Sequence, residues 1–323
     1  MAFDWRHPGA RYAGLLAKTS TMQPMASAQC VSSTAEGAGL GTVLVRQDAH
    51  AVPGTPDALR EPYPAGRISV LFLHGWGIGP QSYRGALARL EMIGCEVMAP
   101  AQPGFAGTRS LPAGECGFAG YARWAARYLD DLDVHEPVVV VGHSFGGGVA
   151  LQLAHDFPER VRAAVLCNSV GGPVTWPSGA ARSGSYRPMS ERPLWEWGRE
   201  FGSDLLRLPV ISRVLPPVLG EAVPNIIQNP LALWRVASFV RRADLLAEAA
   251  VVAYRGTPLT VVWSDRDRLV PHGSFAALCE MAGTTGVVVP GGHGWLIADP
   301  DVFADVFVRA MAGAGVLDEA LGA

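Results

Sequence analysis

The chain has 323 residues, 49% hydrophobic and 17% charged, which provides ample core material and permits one large α/β domain, or one such domain plus an inserted cap. A formal net charge of −3 with neither a basic stripe nor an acidic tail speaks against a nucleic-acid partner, and no apolar run approaches the roughly 18 residues of an integral membrane segment. Five cysteines (Cys30, Cys95, Cys116, Cys167 and Cys279) with no Cys-x-x-Cys pair argue against a disulfide framework or metal site, and fit reduced, mostly buried thiols in a cytoplasmic protein.

Residues 1–40, rich in Ala, Gly, Ser and Thr without sustained periodicity, are expected to form a poorly ordered extension. Met22 and Met25 offer later start points, and the apolar patch Ala13 to Ala17 is too short for a signal-peptide core. Thr42 to Arg46 reads as a short strand. Ala51 to Ala65, with four prolines, reads as a loop. Ile68 to Leu73 is a buried strand followed by glycines, Tyr83 to Ile93 a helix, and Glu96 to Ala99 the next strand. Pro100 to Gly107 turns away from it, and Phe118 to Leu132 is an amphipathic helix. The apolar run Val138 to Val141, the helix-like Gly147 to Phe157 and the strands Ala163 to Cys167, Leu259 to Trp263 and Val287 to Val289 continue the alternation. Such alternation implies a mostly parallel sheet with helices on both faces.

The beat breaks between Gly171 and Ala250, where prolines and Trp176, Trp195, Trp197 and Trp234 accumulate. This stretch reads as several short helices with no strand, forming a helical cap over the carboxyl edge of the sheet, where ligands bind in open α/β folds. The expected organisation is an extension (1–40), a core (41–170 and 251–313) and a cap (171–250). The cap's inventory (Leu205, Leu206, Leu208, Val210, Ile211, Val214, Leu215, Val218 and Leu219) is apolar, with Arg241 and Arg242 the exceptions.

Between the strand at Val138 and the following helix stands Gly142-His143-Ser144-Phe145-Gly146. A strand, a Gly-x-Ser-x-Gly turn and a helix make a nucleophile elbow, whose sharp turn requires small residues beside the serine. A serine hydroxyl needs a base, and the base an orienting partner. His293, flanked by glycines after the last strand, is the candidate base. The acid comes from Ser264-Asp265-Arg266-Asp267: Asp267 is favoured for lying farther into the loop, with Asp265 as alternative. Asn168-Ser169-Val170, after the preceding strand, contains no acid. Backbone donors for an oxyanion are expected from Phe145 and from the His74-Gly75-Trp76-Gly77 loop, Trp76 before Gly77. Trp76 and Trp295 are the candidate substrate-binding side chains, although Trp295 could instead pack on the last helix.

With these motifs together the chain resembles the α/β-hydrolase superfamily, in its serine-nucleophile branch with an inserted cap, over residues 66–310. The resemblance implies an eight-stranded, mostly parallel sheet with one antiparallel edge strand, and it supports Asp267, because relatives often carry an Asp shortly before Val-Pro, here Val270-Pro271. Serine rather than aspartate at the elbow points away from dehalogenase and epoxide-hydrolase chemistry. The expected activity is a Ser-His-Asp hydrolysis of a small or medium apolar ester or related acyl compound, requiring no cofactor and no metal. A carbon–carbon bond hydrolase, a perhydrolase-like enzyme and a non-catalytic small-ligand sensor are the alternatives. The partner is the small-molecule acyl substrate; the oligomeric state is not legible in the sequence.

Overall fold

The computed structural model describes residues 43–44, 68–172, 175–177, 186–191, 193, 195, 196, 199 and 211–317. The expected extension and the proline-rich loop at 51–65 lie outside them, as does Cys30. The strands are β1 (Val43–Leu44), β2 (Ser69–Leu73), β3 (Glu96–Met98), β4 (Val138–His143), β5 (Val161–Cys167), β6 (Thr175–Pro177), β7 (Tyr186–Pro188), β8 (Leu259–Ser264) and β9 (Val287–Val289). The α-helices are α1 (Arg84–Met92), α2 (Phe118–Asp131), α3 (Phe145–Asp156), α4 (Ile211–Gln228), α5 (Pro230–Val240), α6 (Leu246–Tyr254), α7 (His272–Ala282), α8 (Trp295–Ala298) and α9 (Pro300–Gly313). No helix among the described residues is long and apolar enough to cross a membrane.

Seven strands form one sheet in the order β1-β9-β8-β5-β4-β2-β3, and each pairing in it is parallel. The described sheet therefore departs from the eight strands with an antiparallel edge that the resemblance implied. Central β4 is buried along its whole length, as its unbroken valine run requires of a strand covered on both faces. Helix α3 is buried from Phe145 to Ala154, so its hydrophobicity shows no amphipathic stripe. Cys95, Cys167 and Cys279 are buried, Cys116 is half-buried, and all four are free. Burial pushes the Cys95, Cys167 and Cys279 thiols up to about 12, so they stay protonated and unreactive.

The register sets the site. Leu73 pairs with Gly142, His143 with Cys167, Cys167 with Val262, and Ser264 with Val289. The carboxyl ends of five strands are thus flush. The residues that follow them (His74 to Trp76, Ser144, Asn168, Asp265 to Asp267 and Pro290 to His293) gather on one edge.

The segment expected to be a strandless cap contains an antiparallel pair, β6 with β7, in register at Trp176 and Arg187. Three-residue strands ending in proline carry too few positions for a period-2 signal, which is why the sequence hides them. Pro216, Pro217 and Pro224, which read as breaks, lie inside the single 18-residue helix α4. Helix α6 spans residue 250, so the expected boundary there falls inside an element that packs on α3 and α7. Of the predicted cap inventory, Val218 is buried and Leu219 exposed, while the side chains at 205–214 lie outside the described residues.

Helices α4 and α5 are fastened to the loops after β2 and β3. The Glu221 carboxylate accepts hydrogen bonds from the backbone N–H groups of Gly79, Gln81 and Ser82 and from the Ser82 hydroxyl. One turn later, Asn225 accepts from Ala106 N–H at 2.6 Å and donates to the Gly77 carbonyl at 3.2 Å. The Trp76 indole N–H donates to the Leu233 carbonyl at 3.0 Å.

Candidate active site

Ser144 occupies the turn between β4 and α3 with φ 55° and ψ −115°, a conformation that non-glycine residues adopt only under constraint. The surrounding backbone supplies that constraint. Ser144 N–H donates to the Cys167 carbonyl at 2.9 Å, and the Ser144 carbonyl accepts from Gly147 and Val170 at 3.0 and 3.2 Å. A Cβ on Gly142 would overlap the Gly146 carbonyl, and one on Gly146 would overlap the Leu73 carbonyl. The turn closes only with glycine on both sides. Phe145, at the first helical position, has a backbone N–H with no intrahelical acceptor.

The loops after β8 and β9 bring the other predicted residues together. His293 Nδ1 donates to Asp267 Oδ2 at 2.8 Å, and both side chains are almost fully buried. Asp267 Oδ1 accepts the backbone N–H groups of Leu269 at 2.7 Å and Val270 at 2.9 Å. These bonds anchor one oxygen of the carboxylate, and the other faces the imidazole. Asp265 faces elsewhere: its carboxylate accepts Gly291 N–H at 2.9 Å and lies 3.4 Å from Arg266 Nε, at the surface. It braces the loop that carries the histidine.

Behind the site runs a second buried chain that the sequence did not reveal as a unit. Gly75 N–H donates to the Tyr83 hydroxyl at 3.0 Å, and that hydroxyl lies 2.7 Å from His143 Nδ1. His143 Nε2 lies 2.9 Å from the His293 carbonyl, which can only accept. His143 therefore carries its proton on Nε2, and the Tyr83 hydroxyl donates to Nδ1. Burial, and secondarily the neighbouring His293, hold His143 well below the usual histidine range, which keeps it neutral in this role. Burial likewise drives the Tyr83 phenol upward, so its proton remains available to donate. The chain ties the glycine loop after β2 to the histidine loop after β9.

His74 is held in the same manner. Its Nε2 accepts Gln102 N–H at 2.9 Å, and its carbonyl accepts the Gln102 side-chain amide at 2.7 Å. Burial lowers its pKa from 6.5 to about 4. The unfolded chain therefore binds a proton between pH 6.5 and about 4 that the folded chain does not, and stability must fall as pH drops through that window. The loss is absent above pH 6.5 and grows to on the order of 3 kcal/mol as pH approaches 4. Urea midpoints should decline from pH 7 to pH 5, and His74→Gln should flatten that slope; an identical slope in the variant would refute the assignment.

Ser144 and His293 line one small cavity with Gly75, Trp76, Ile78 and Val240 among its other walls. Its interior is about 30 Å³, small but roomy enough to admit water. Trp76 is thus a wall of this cavity. Trp295 is not: it is buried in the core, packs its ring 6.2 Å from that of Phe303 on α9, and donates its indole N–H to Asn168 Oδ1 at 2.8 Å. Of its two predicted places, the last helix is the one the structure shows. Neither Arg241 nor Arg242 lines the cavity. Among the described residues no group of three His, Cys, Asp or Glu side chains converges as metal ligands.

Residues 70–306 match the model of a family described as the alpha/beta hydrolase family. A putative non-heme haloperoxidase of Mycobacterium phage D29 is 27% identical over 248 residues, covering 75% of this chain and 87% of that protein. A pimeloyl-[acyl-carrier protein] methyl ester esterase of Aromatoleum aromaticum is 37% identical over 216 residues, 64% of this chain and 82% of that protein. Among solved structures, a thermophilic esterase from Thermogutta terrifontis superposes with TM-score 0.59 at 20% identity, over 77% of this chain and 92% of that one. At that identity the likeness concerns the fold.

Proposed function

The chain belongs to the alpha/beta hydrolase family, and from that membership we propose that it is a serine hydrolase acting by Ser144, His293 and Asp267 on an uncharged apolar ester or related acyl compound. The observation that carries this reading is the buried 2.8 Å bond between His293 Nδ1 and Asp267 Oδ2, in a site whose cavity also exposes Ser144. With Nδ1–H committed to the carboxylate, Nε2 is the nitrogen that acts as base. It takes the Ser144 proton as Oγ attacks the substrate carbonyl and returns it to the leaving alcohol. Water then enters by the same base, and the acid is released with Ser144 restored.

Negative charge on the tetrahedral oxygen is met by backbone donors. Phe145 N–H is free of the helix ladder and stands at the positive end of α3. Trp76 N–H is the second proposed donor, with Gly77 as alternate. The cap assignment for 171–250, over a core of 41–170 and 251–313, belongs to the same reading: α4 and α5 roof the glycine loop, and Val240 closes the cavity. Among the described residues no arginine lines that cavity, which favours an uncharged substrate over the carboxylate-bearing one that a carbon–carbon hydrolase would hold through Arg241 or Arg242.

A fluorophosphonate probe should label Ser144 and no other serine. Because the cavity is small, acetyl and propionyl p-nitrophenyl esters should exceed the octanoyl ester in kcat/KM by at least about tenfold: methylenes left outside forgo the gain of about 0.8 kcal/mol each that burial brings, and methylenes forced in displace packed walls. An octanoyl optimum would contradict the volume argument, and absence of labelling would contradict the nucleophile. The similarity to a protein named a haloperoxidase favours one second reading, in which hydrogen peroxide replaces water as acyl acceptor and a peracid is released. Peracid formation from an acetate ester and peroxide measures it.

A further inference from the structure

We infer that Asn168 is a positioning residue of the triad, an amide clamp that holds Asp267 for His293. The inference rests on the serine-hydrolase reading above. Asn168 follows β5 with φ 45°, a left-handed conformation that asparagine tolerates better than most residues, and its side chain is buried. Its Nδ2 donates to Asp267 Oδ2 and, at 2.6 Å, to Ser264 Oγ. Its Oδ1 accepts the Trp295 indole N–H at 2.8 Å. An indole N–H can only donate, so it fixes which end of the amide is oxygen and turns the NH₂ toward the carboxylate. Ser264 Oγ in turn donates to the Gly292 carbonyl at 2.8 Å, beside His293. One side chain thereby joins the ends of β5 and β8 to the loop after β9.

The arithmetic of Asp267 shows why this matters. Its carboxylate accepts four donors: Leu269 and Val270 N–H on one oxygen, Asn168 and His293 on the other. Without Asn168, the oxygen facing the imidazole is left with His293 alone. Its direction is then set by the histidine it is supposed to orient. The backbone donors act on the far oxygen and leave rotation about them less constrained. Asn168 touches neither substrate nor the reacting hydroxyl in this account; it acts through Asp267.

The test is Asn168→Asp, which preserves shape and replaces a donor by a second carboxylate against Asp267. The titratable groups facing that position among the described residues are Asp267, and beyond it His293 with His143 behind. Two carboxylates at hydrogen-bond distance ionise as a pair. While the pair keeps one proton, residue 168 can still donate to Asp267 as a carboxylic acid. Once that proton leaves, the clamp becomes a repulsion. The kcat of the variant should therefore collapse as pH rises, and its optimum should move to lower pH, by at least one unit, with KM for p-nitrophenyl acetate within about threefold of wild type. A variant that keeps the wild-type pH profile, whether at full rate or at a uniformly reduced one, overturns the inference.

Should that variant fail to fold, Asn168→Ser, too short to reach the carboxylate, should lower kcat at least tenfold with KM held. An unchanged kcat or a change in KM alone overturns the inference. Fluorophosphonate labelling of the wild type separates the two levels. Labelling of Ser144 with an unshifted Asn168→Asp profile removes only the clamp, whereas an unlabelled wild type removes the serine-hydrolase reading and the clamp with it.

Discussion

Ser144→Ala should lose about 10⁴- to 10⁶-fold in turnover of p-nitrophenyl esters, the range that removal of a nucleophile from such a unit produces. The protein should remain folded. Alanine at φ 55° bears the same backbone strain as serine, so the change neither adds nor relieves it. The hydrogen bonds that hold the turn are made by the Ser144 backbone, to Cys167, Gly147 and Val170, and survive the substitution. A melting temperature equal to wild type together with lost turnover is the expected pair of results. Wild-type turnover in the folded variant would end the serine mechanism, and tight binding of an apolar ligand by a wild-type protein that hydrolyses no ester would favour the sensor alternative.

Asp267→Asn should be nearly as severe, about 10⁴-fold in kcat, for a reason that lies in hydrogen-bond polarity. Leu269 and Val270 N–H groups both point at Oδ1, so the amide oxygen of the variant must take that place. The NH₂ then occupies the Oδ2 position, where His293 Nδ1–H and Asn168 Nδ2 already donate. The donor clash is removed only if His293 moves its proton to Nε2. That tautomer presents N–H, not a lone pair, to Ser144. The same clash leaves a buried donor unmet, so a stability loss of about 1–3 kcal/mol accompanies the lost rate. Activity within tenfold of wild type would show that Asp267 does not set the tautomer.

Much of the core was readable because it rests on short, strong signals. The valine run of β4, the Gly-x-Ser-x-Gly turn and the glycine-flanked His293 each follow from local sequence, and the strand ends assemble them. Asp267 over Asp265 was a reading of loop position, and the structure gives its physical form: the deeper aspartate is buried beside His293, the other lies at the surface. What escaped was chemistry between elements distant in sequence. Asn168 is no acid and carries no catalytic signal in sequence; its use as a donor appears only when β5, β8 and the loop after β9 are adjacent. Tyr83 read as a helix start, yet its hydroxyl bridges Gly75 and His143. Trp295 next to the base suggested a pocket wall, but its indole N–H needed a buried acceptor and found Asn168. The proline count of the segment at 211–228 suggested fragments where one helix runs through.

Glu221 and Asn225 make helix α4 and the glycine loop a single mechanical part. A carboxylate from α4 collects three backbone N–H groups and a hydroxyl just beyond Trp76-Gly77, and the amide one turn on grips Gly77 itself. Grafting another relative's helices onto this scaffold would therefore transplant more than walls. Unless the graft brought an acid and an amide at the same four-residue interval, the loop would lose its anchorage and the exchange would damage rate along with selectivity.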